Sequence, residues 1–191
     1  MKYILYLTLL GILIIPGSAE AQKENTAKKS SSFYLLTVDS LVGGKKIDLS
    51  RFSGKRVLVV PIATLDSNFS QIRELKKLAG ENTDGLVIIA CPTNDFNSEP
   101  ASEKAISAFL SRFQIPFIVT TKLHVKGKDA HPLFKWLSSK ELNGYTDMAV
   151  SAPFFKYVIS ADGNIEQVLQ PNQRPYSDKT TKELIKNAKT Q

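Results

Sequence analysis

One stretch limits this chain more than any other. Arg56-Val57-Leu58-Val59-Val60-Pro61-Ile62 runs through Ala63-Thr64-Leu65-Asp66-Ser67-Asn68 into Gln71-Ile72-Arg73-Glu74-Leu75. Val57 to Val60 is unbroken aliphatic sequence, the pattern of a strand buried on both faces, so it is expected mid-sheet. From Ile72 the period changes: Ile72, Leu75 and Leu78-Ala79 recur at three and four residues between charged positions, as in an amphipathic helix. Asp66, Ser67 and Asn68 mark the joint, and each can accept a hydrogen bond from the free amides of a first helical turn, with Asp66 read as the N-cap. A strand that hands over to a helix N-terminus is where many α/β proteins keep their chemistry.

The rest of the chain supplies partners for this unit. Phe33 to Val38 and Lys45 to Leu49 flank Gly43-Gly44 and read as an N-terminal hairpin. Leu86 to Cys91 is a second doubly buried strand, and two such strands joined through a helix imply a parallel, right-handed pair. Pro100 is expected in the first turn of a helix over Glu103 to Phe113. Phe117 to Val119 reads as a short strand, and His131-Pro132 opens a short helix through Leu137, followed by a loop from Leu142 to Ser151. Phe154 to Ile159 and Ile165 to Leu169 flank the turn Ala161-Asp162-Gly163-Asn164, and a last helix spans about Asp178 to Ala188. This order describes an α/β, thioredoxin-like three-layer sandwich: a mixed central sheet with an N-terminal β-hairpin and helices on both faces.

The front of the chain is different in kind. Met1-Lys2, an apolar stretch from Tyr3 to Ile15, the breaker Pro16-Gly17 and the exit Ala19-Glu20-Ala21 compose a secretory signal over residues 1–21, with cleavage after Ala21. That apolar stretch is shorter than the roughly 20 residues a spanning helix needs. The expected location is therefore outside the cytoplasm, periplasmic or secreted, with no membrane association after cleavage. Gln22 to Ser32 is polar and lysine-bearing and is expected to be a disordered lead-in, leaving residues 33–191 as the folded domain. Cleavage removes one Lys and one Glu, so the net charge stays at +7. The lysines are scattered and do not interleave with aromatics, which argues against a nucleic-acid partner.

The chain has one cysteine, Cys91. A protein with one thiol cannot form an internal disulfide or complete a cycle that needs two thiols of its own. Cys91 ends an apolar strand, where a free cysteine behaves as a small buried hydrophobe. His124 and His131 have no metal-ligand spacing with another His or Cys and no evident partner, so neither a metal nor a cofactor is expected. Trp136 reads as a packing residue of its short helix. The Gly-x-Ser-x-Gly elbow of serine hydrolases does not occur.

A set of segments carries a resemblance: Ser32-Phe33-Tyr34, Leu49-Ser50-Arg51-Phe52-Ser53-Gly54-Lys55 leading into Val57-Leu58-Val59-Val60, Gln71 with Glu74-Leu75, Asn94 with Phe96 and Glu99-Pro100, His131-Pro132-Leu133-Phe134, and Phe154-Phe155-Lys156-Tyr157. In this order and spacing the chain resembles the glutathione peroxidase family from about Ser32 to Ile185. The resemblance implies hydroperoxide reduction by a cysteine or selenocysteine at the strand–helix joint, helped by a glutamine, a tryptophan and an asparagine. Carried over position by position, the cysteine falls on Asp66, the glutamine on Asp95, and the tryptophan and asparagine on Ala152 and Pro153. The cysteine that often precedes the family's Asn falls on Thr93. A carboxylate cannot pass through the sulfenic state on which that chemistry depends.

Three functions follow as expectations. The first is an exported glutathione peroxidase homologue, degenerate in peroxide reduction and kept as a binding or structural module. The second is a thiol peroxidase working through Cys91, whose partners would be a hydroperoxide and an external thiol reductant. The third is a cation or acid–base site made by Asp66 and Asp95, both at carboxyl ends of parallel strands.

Overall fold

The computed structural model describes residues 32–81 and 85–186, so the expected signal and residues 22–31 of the lead-in lie outside the described residues. Among the described residues seven strands and five helices follow, in the expected order but for the additional α4: β1 Thr37–Asp39, β2 Lys46–Asp48, β3 Arg56–Ile62, α1 Gln71–Glu81, β4 Leu86–Pro92, α2 Glu103–Ser111, β5 Ile118–Val119, α3 Pro132–Leu137, α4 Lys140–Asn143, β6 Lys156–Ile159, β7 Ile165–Leu169 and α5 Lys179–Lys186. Five strands form one mixed sheet in the order β5-β4-β3-β6-β7. β3 is central: it pairs parallel with β4, Val57 opposite Val87, and antiparallel with β6, Val59 opposite Tyr157. All seven of its residues are buried, which is why its sequence shows no polar alternation.

Alternate β3 and β4 residues feed two cores. Leu58, Val60, Ile88 and Ala90 pack with Ile72 and Leu75 of α1, Ile106 and Leu110 of α2, and Ile185 of α5. Val57, Val59, Ile89 and Cys91 face the other way, toward Phe134 and Trp136 of α3 and Val38 and Ile47 of the hairpin. β1 and β2 form a separate antiparallel pair turned by Gly43 and Gly44, whose φ values of 77° and 59° suit glycine. That pair joins the sheet edge through a bridge between Ser40 and Thr120. Among the described residues no helix is long and apolar enough to cross a membrane.

Pro61 in a central strand needs an account, because proline removes a ladder donor. Its carbonyl points toward β6 and accepts the Phe154 amide at 2.7 Å, beyond the last β3–β6 register pair at Val59 and Tyr157. The missing N–H therefore falls where that ladder has ended, and the pairing with β4 continues to Ile62 opposite Pro92.

Several expected boundaries move. Ser32–Leu35 is a 3₁₀ turn and β1 begins at Thr37, because Phe33 is used as a core plug, fully buried with its ring 5.4 Å from Trp136. Pro100 lies ahead of α2, whose N-cap is Ser102 accepting the Ala105 amide at 3.3 Å. The expected 142–151 loop begins inside α4, which closes at Gly144 in the left-handed conformation.

Candidate functional site

The carboxyl end of β3 opens into a joint that hydrogen bonds fix closely. After Ile62 the chain passes Thr64, whose amide and hydroxyl donate to the two oxygens of Glu99 at 2.7 and 2.8 Å. Glu99 is fully buried, and its own amide donates to Asn94 Oδ1 at 3.0 Å. The Leu65 amide donates to the Ser98 carbonyl at 3.0 Å, and the Thr93 amide to the Ile62 carbonyl at 3.0 Å. The loop after β4 is thus tied to the β3–α1 joint along its length.

Asp66 stands at that joint in an extended conformation and caps a 3₁₀ turn, Ser67–Ser70, that leads directly into α1. Its Oδ1 accepts the Asn68 amide at 2.8 Å, the capping role its residue type favours. The next links run inward. Gln71 Nε2 donates to Asn68 Oδ1 at 3.2 Å and to the Pro171 carbonyl at 2.6 Å. Pro171 also accepts from Lys156 Nζ at 3.4 Å, as do Phe154 O at 2.8 Å and Gln170 O at 3.3 Å. Lys156 is fully buried on β6, and burial pushes its ammonium down to about 7 despite the field of Glu74. Three backbone carbonyls hold this lysine in the core, and Gln71 shares one of them, that of Pro171.

Asp95 serves a different purpose. Its Oδ1 accepts His124 Nδ1 at 2.8 Å, and its Oδ2 accepts the Val125 and Lys126 amides at 2.6 and 3.2 Å. Burial would raise its pKa, but the bonds from His124 and the two amides outweigh burial and hold the carboxyl below its usual range. Two carboxylates sharing a site would push one of them upward. Asp95 moves the other way, and no bond links it to Asp66, which is already committed to Asn68. The His124 side chain is 70% exposed while that of Asp95 keeps 12%, so the aspartate anchors an imidazole that lies mostly in solvent. Sequence reading gave His124 no partner; the structure supplies Asp95, 29 residues away.

Cys91 is fully buried in the face that packs on α3, and burial pushes its thiol up to about 12. Ala152 is half-buried and Pro153 buried; they lead into Phe154, which holds a φ of 66° as its amide meets Pro61. The bonds from Leu65 to Ser98 and from Phe154 to Pro61 bring the segments that carry Asp66, Asp95 and Ala152-Pro153 to the same end of the sheet. Thr93 is buried and accepts the Asp95 amide at 3.3 Å. Trp136 is a core residue, as read. Among the described residues no group of three or more His, Cys, Asp or Glu side chains could hold a metal ion.

Sequence reasoning missed three supports of this end: Glu99 on Thr64, the carbonyl cage of Lys156, and Glu74. The Glu74 carboxylate accepts Arg174 Nε at 2.5 Å, the Tyr176 and Ser177 amides at 3.2 Å, and the Ser177 hydroxyl, fastening the segment before α5 to α1. No local pattern announces any of these, since all but the Phe154 carbonyl of the Lys156 cage lie 14 to 103 residues from their partner.

The glutathione peroxidase family profile matches residues 33–138. Over 150 residues the chain is 33% identical to a protein of Arabidopsis thaliana named "Probable glutathione peroxidase 2", covering 75% of this chain and 86% of that protein. It is 31% identical over 147 residues to the "Glutathione peroxidase homolog BsaA" of Bacillus subtilis, covering 75% and 91% respectively. Among solved structures, Trgpx in its apo form superposes with a TM-score of 0.61 at 29% identity, covering 83% of this chain and 97% of that one. A thioredoxin-family thiol:disulfide interchange protein from Chlorobium tepidum, at 19% identity and TM-score 0.56 over 78% of this chain and 92% of its own, shares the fold. Fold, element order and sequence agree, and the chain belongs to the glutathione peroxidase family.

Proposed function

We propose that this chain is an exported member of the family that no longer reduces hydroperoxides by thiol chemistry and persists as a binding or structural module. The observation that carries the proposal is the state of its sulfur. A peroxidatic thiol must be exposed and ionised near neutral pH, and a helix N-terminus at the strand end is suited to stabilise such a thiolate. At that joint stands Asp66, bonded to the Asn68 amide as a cap. The only thiol, Cys91, lies at 0% exposure with its pKa pushed up to about 12, so at neutral pH it is held as the thiol and not the thiolate. The carboxylate at position 66 retains a negative charge at the helix start without an oxidation ladder, which keeps the scaffold stable and removes the reaction. Export follows from the signal-like sequence of residues 1–21.

The test is hydroperoxide consumption by the protein with a thiol reductant, run beside Cys91→Ser. The expected rate with hydrogen peroxide or a lipid hydroperoxide is no greater than that of free cysteine, and Cys91→Ser leaves it unchanged. Turnover well above that background and abolished by Cys91→Ser would restore a working peroxidase. The cation reading has its own outcome: stabilisation by calcium or magnesium that is lost in Asp66→Asn would favour it over a module without a metal.

A further inference from the structure

Sulfur is the element through which hydroperoxides most readily modify a protein side chain, and this chain has three sulfur-bearing residues, one cysteine and two methionines. Met1 lies outside the described residues, and Cys91 is sealed in the core. Met148 is 43% exposed.

Its loop is built rather than slack. Asn143 Oδ1 accepts the Tyr145 and Thr146 amides at 2.7 and 2.9 Å, and Asn143 Nδ2 donates to the Trp136 carbonyl at 2.7 Å. Met148 itself is held on both sides of its backbone: its amide donates to Thr146 Oγ1 at 3.0 Å, and its carbonyl accepts the Tyr157 hydroxyl at 3.3 Å. The sulfur has one neighbour of consequence. Gln170 Nε2 donates to Met148 Sδ at 3.6 Å, a weak bond to a poor acceptor. The carbonyl of the same Gln170 is one of the three that hold Lys156 Nζ. The thioether therefore sits one residue from the network that runs through Pro171 and Gln71 to the Asp66 joint.

We propose that Met148 is a site of modification by hydroperoxides. The sulfur lone pair attacks one peroxide oxygen, an S–O bond forms as the O–O bond breaks, and the hydroperoxide proton passes to the departing oxygen, which leaves as an alcohol or water. The sulfur loses two electrons and the hydroperoxide gains them. The sulfoxide oxygen is a far better acceptor than a thioether, so the Gln170 amide, already aimed at the sulfur, gains a strong bond in the oxidised state. Oxidation is stoichiometric and is reversed by thiol-dependent sulfoxide reduction. The inference rests on Cys91 being inert, because an active thiol would consume the oxidant first.

The experiment exposes the folded, full chain to hydrogen peroxide and, separately, to an alkyl hydroperoxide, with free methionine in the same tube, and maps peptides by mass. Met148 is expected to gain one oxygen atom at about half the rate of free methionine, following its exposure, while Cys91 stays unmodified. Oxidation of Met148 more than about ten-fold slower than the free amino acid overturns the proposal. A second arm compares thermal midpoints before and after oxidation in the wild type and in Gln170→Leu. The drop on oxidation is expected to be larger in Gln170→Leu, and equal drops overturn the role given to Gln170. Failure here is distinct from failure of the proposed function. Thiol-driven turnover through Cys91 defeats the loss of peroxidase activity, whereas an unmodified Met148 without turnover defeats this inference alone.

Discussion

Replacing Lys156 by methionine should change how stability depends on pH. The lysine is at 0% exposure on β6, and its ammonium is pushed down to about 7 from 10.5, with burial as the leading cause. Between those two values the unfolded chain binds a proton that the folded chain has released. Stability therefore rises with pH across that window, by about 1.4 kcal/mol per pH unit once the pH exceeds the folded value. From pH 7 to pH 9 the gain attributable to this group is about 2 kcal/mol. Below pH 7 both states hold the proton and the contribution is flat. Lys156→Met keeps the length of the side chain and removes the titration, at the cost of the lysine's bond to Phe154 O, about 1–3 kcal/mol, while Pro171 O keeps Gln71 and Gln170 O keeps the Gln173 amide. Urea unfolding of both proteins at pH 6, 7, 8 and 9 isolates the term, because every other titrating group is common to the two. The wild type should gain on the variant by about 2 kcal/mol between pH 7 and pH 9. A difference that stays constant over this range would show that the three carbonyls keep the lysine charged in the core, and the reasoning from burial would fail.

Other perturbations read other parts of the account. Glu74→Gln should destabilise the protein by about 1–3 kcal/mol at pH 7, since it weakens the bonds to Arg174, Tyr176 and Ser177. The carboxyl is held below its usual 4.5 because those bonds outweigh burial, so its contribution is present above 4.5 and fades as pH falls through the lowered value; equilibrium unfolding of both proteins down to pH 3 should show the gap closing. Asp66→Ala should cost about 1 kcal/mol through loss of the cap on Asn68, measured by denaturant unfolding, with no change in peroxide consumption. Glu99→Ala should cost more, about 2–4 kcal/mol, because the half-buried Thr64 amide and hydroxyl lose both acceptors together, and amide exchange at Thr64 should accelerate. Cys91 should resist an aromatic disulfide reagent in the native protein and react fully in denaturant, as its burial requires.

The sheet was legible because burial on both faces writes continuous aliphatic runs into β3 and β4, and because Asp162-Gly163 between two apolar segments marks the β6–β7 turn. Phe33 was misread for a related reason. An apolar residue next to alternating sequence looks like a strand, whether it lies on a pleat or, as here, plugs a core from a 3₁₀ turn against Trp136. At the candidate site the division is between local and distant chemistry. Capping by Asp66 acts over two residues and could be read from residue type. The pairing of Asp95 with His124, the seat of Glu99 under Thr64 and the cage around Lys156 join segments that only the fold brings together, and single side chains in sequence give no sign of them.

The central claim is that the strand–helix joint has exchanged a redox sulfur for a capping carboxylate. It is tested most directly by the rate of hydroperoxide reduction with an external thiol, measured for the wild type beside Asp66→Cys. The wild type should react no faster than free cysteine. In Asp66→Cys the new thiol, placed at the start of the turn that leads into α1, should be oxidised by hydroperoxide in the folded protein, while Cys91 is not. Thiol-dependent turnover by the wild type well above the free-cysteine rate would contradict the account.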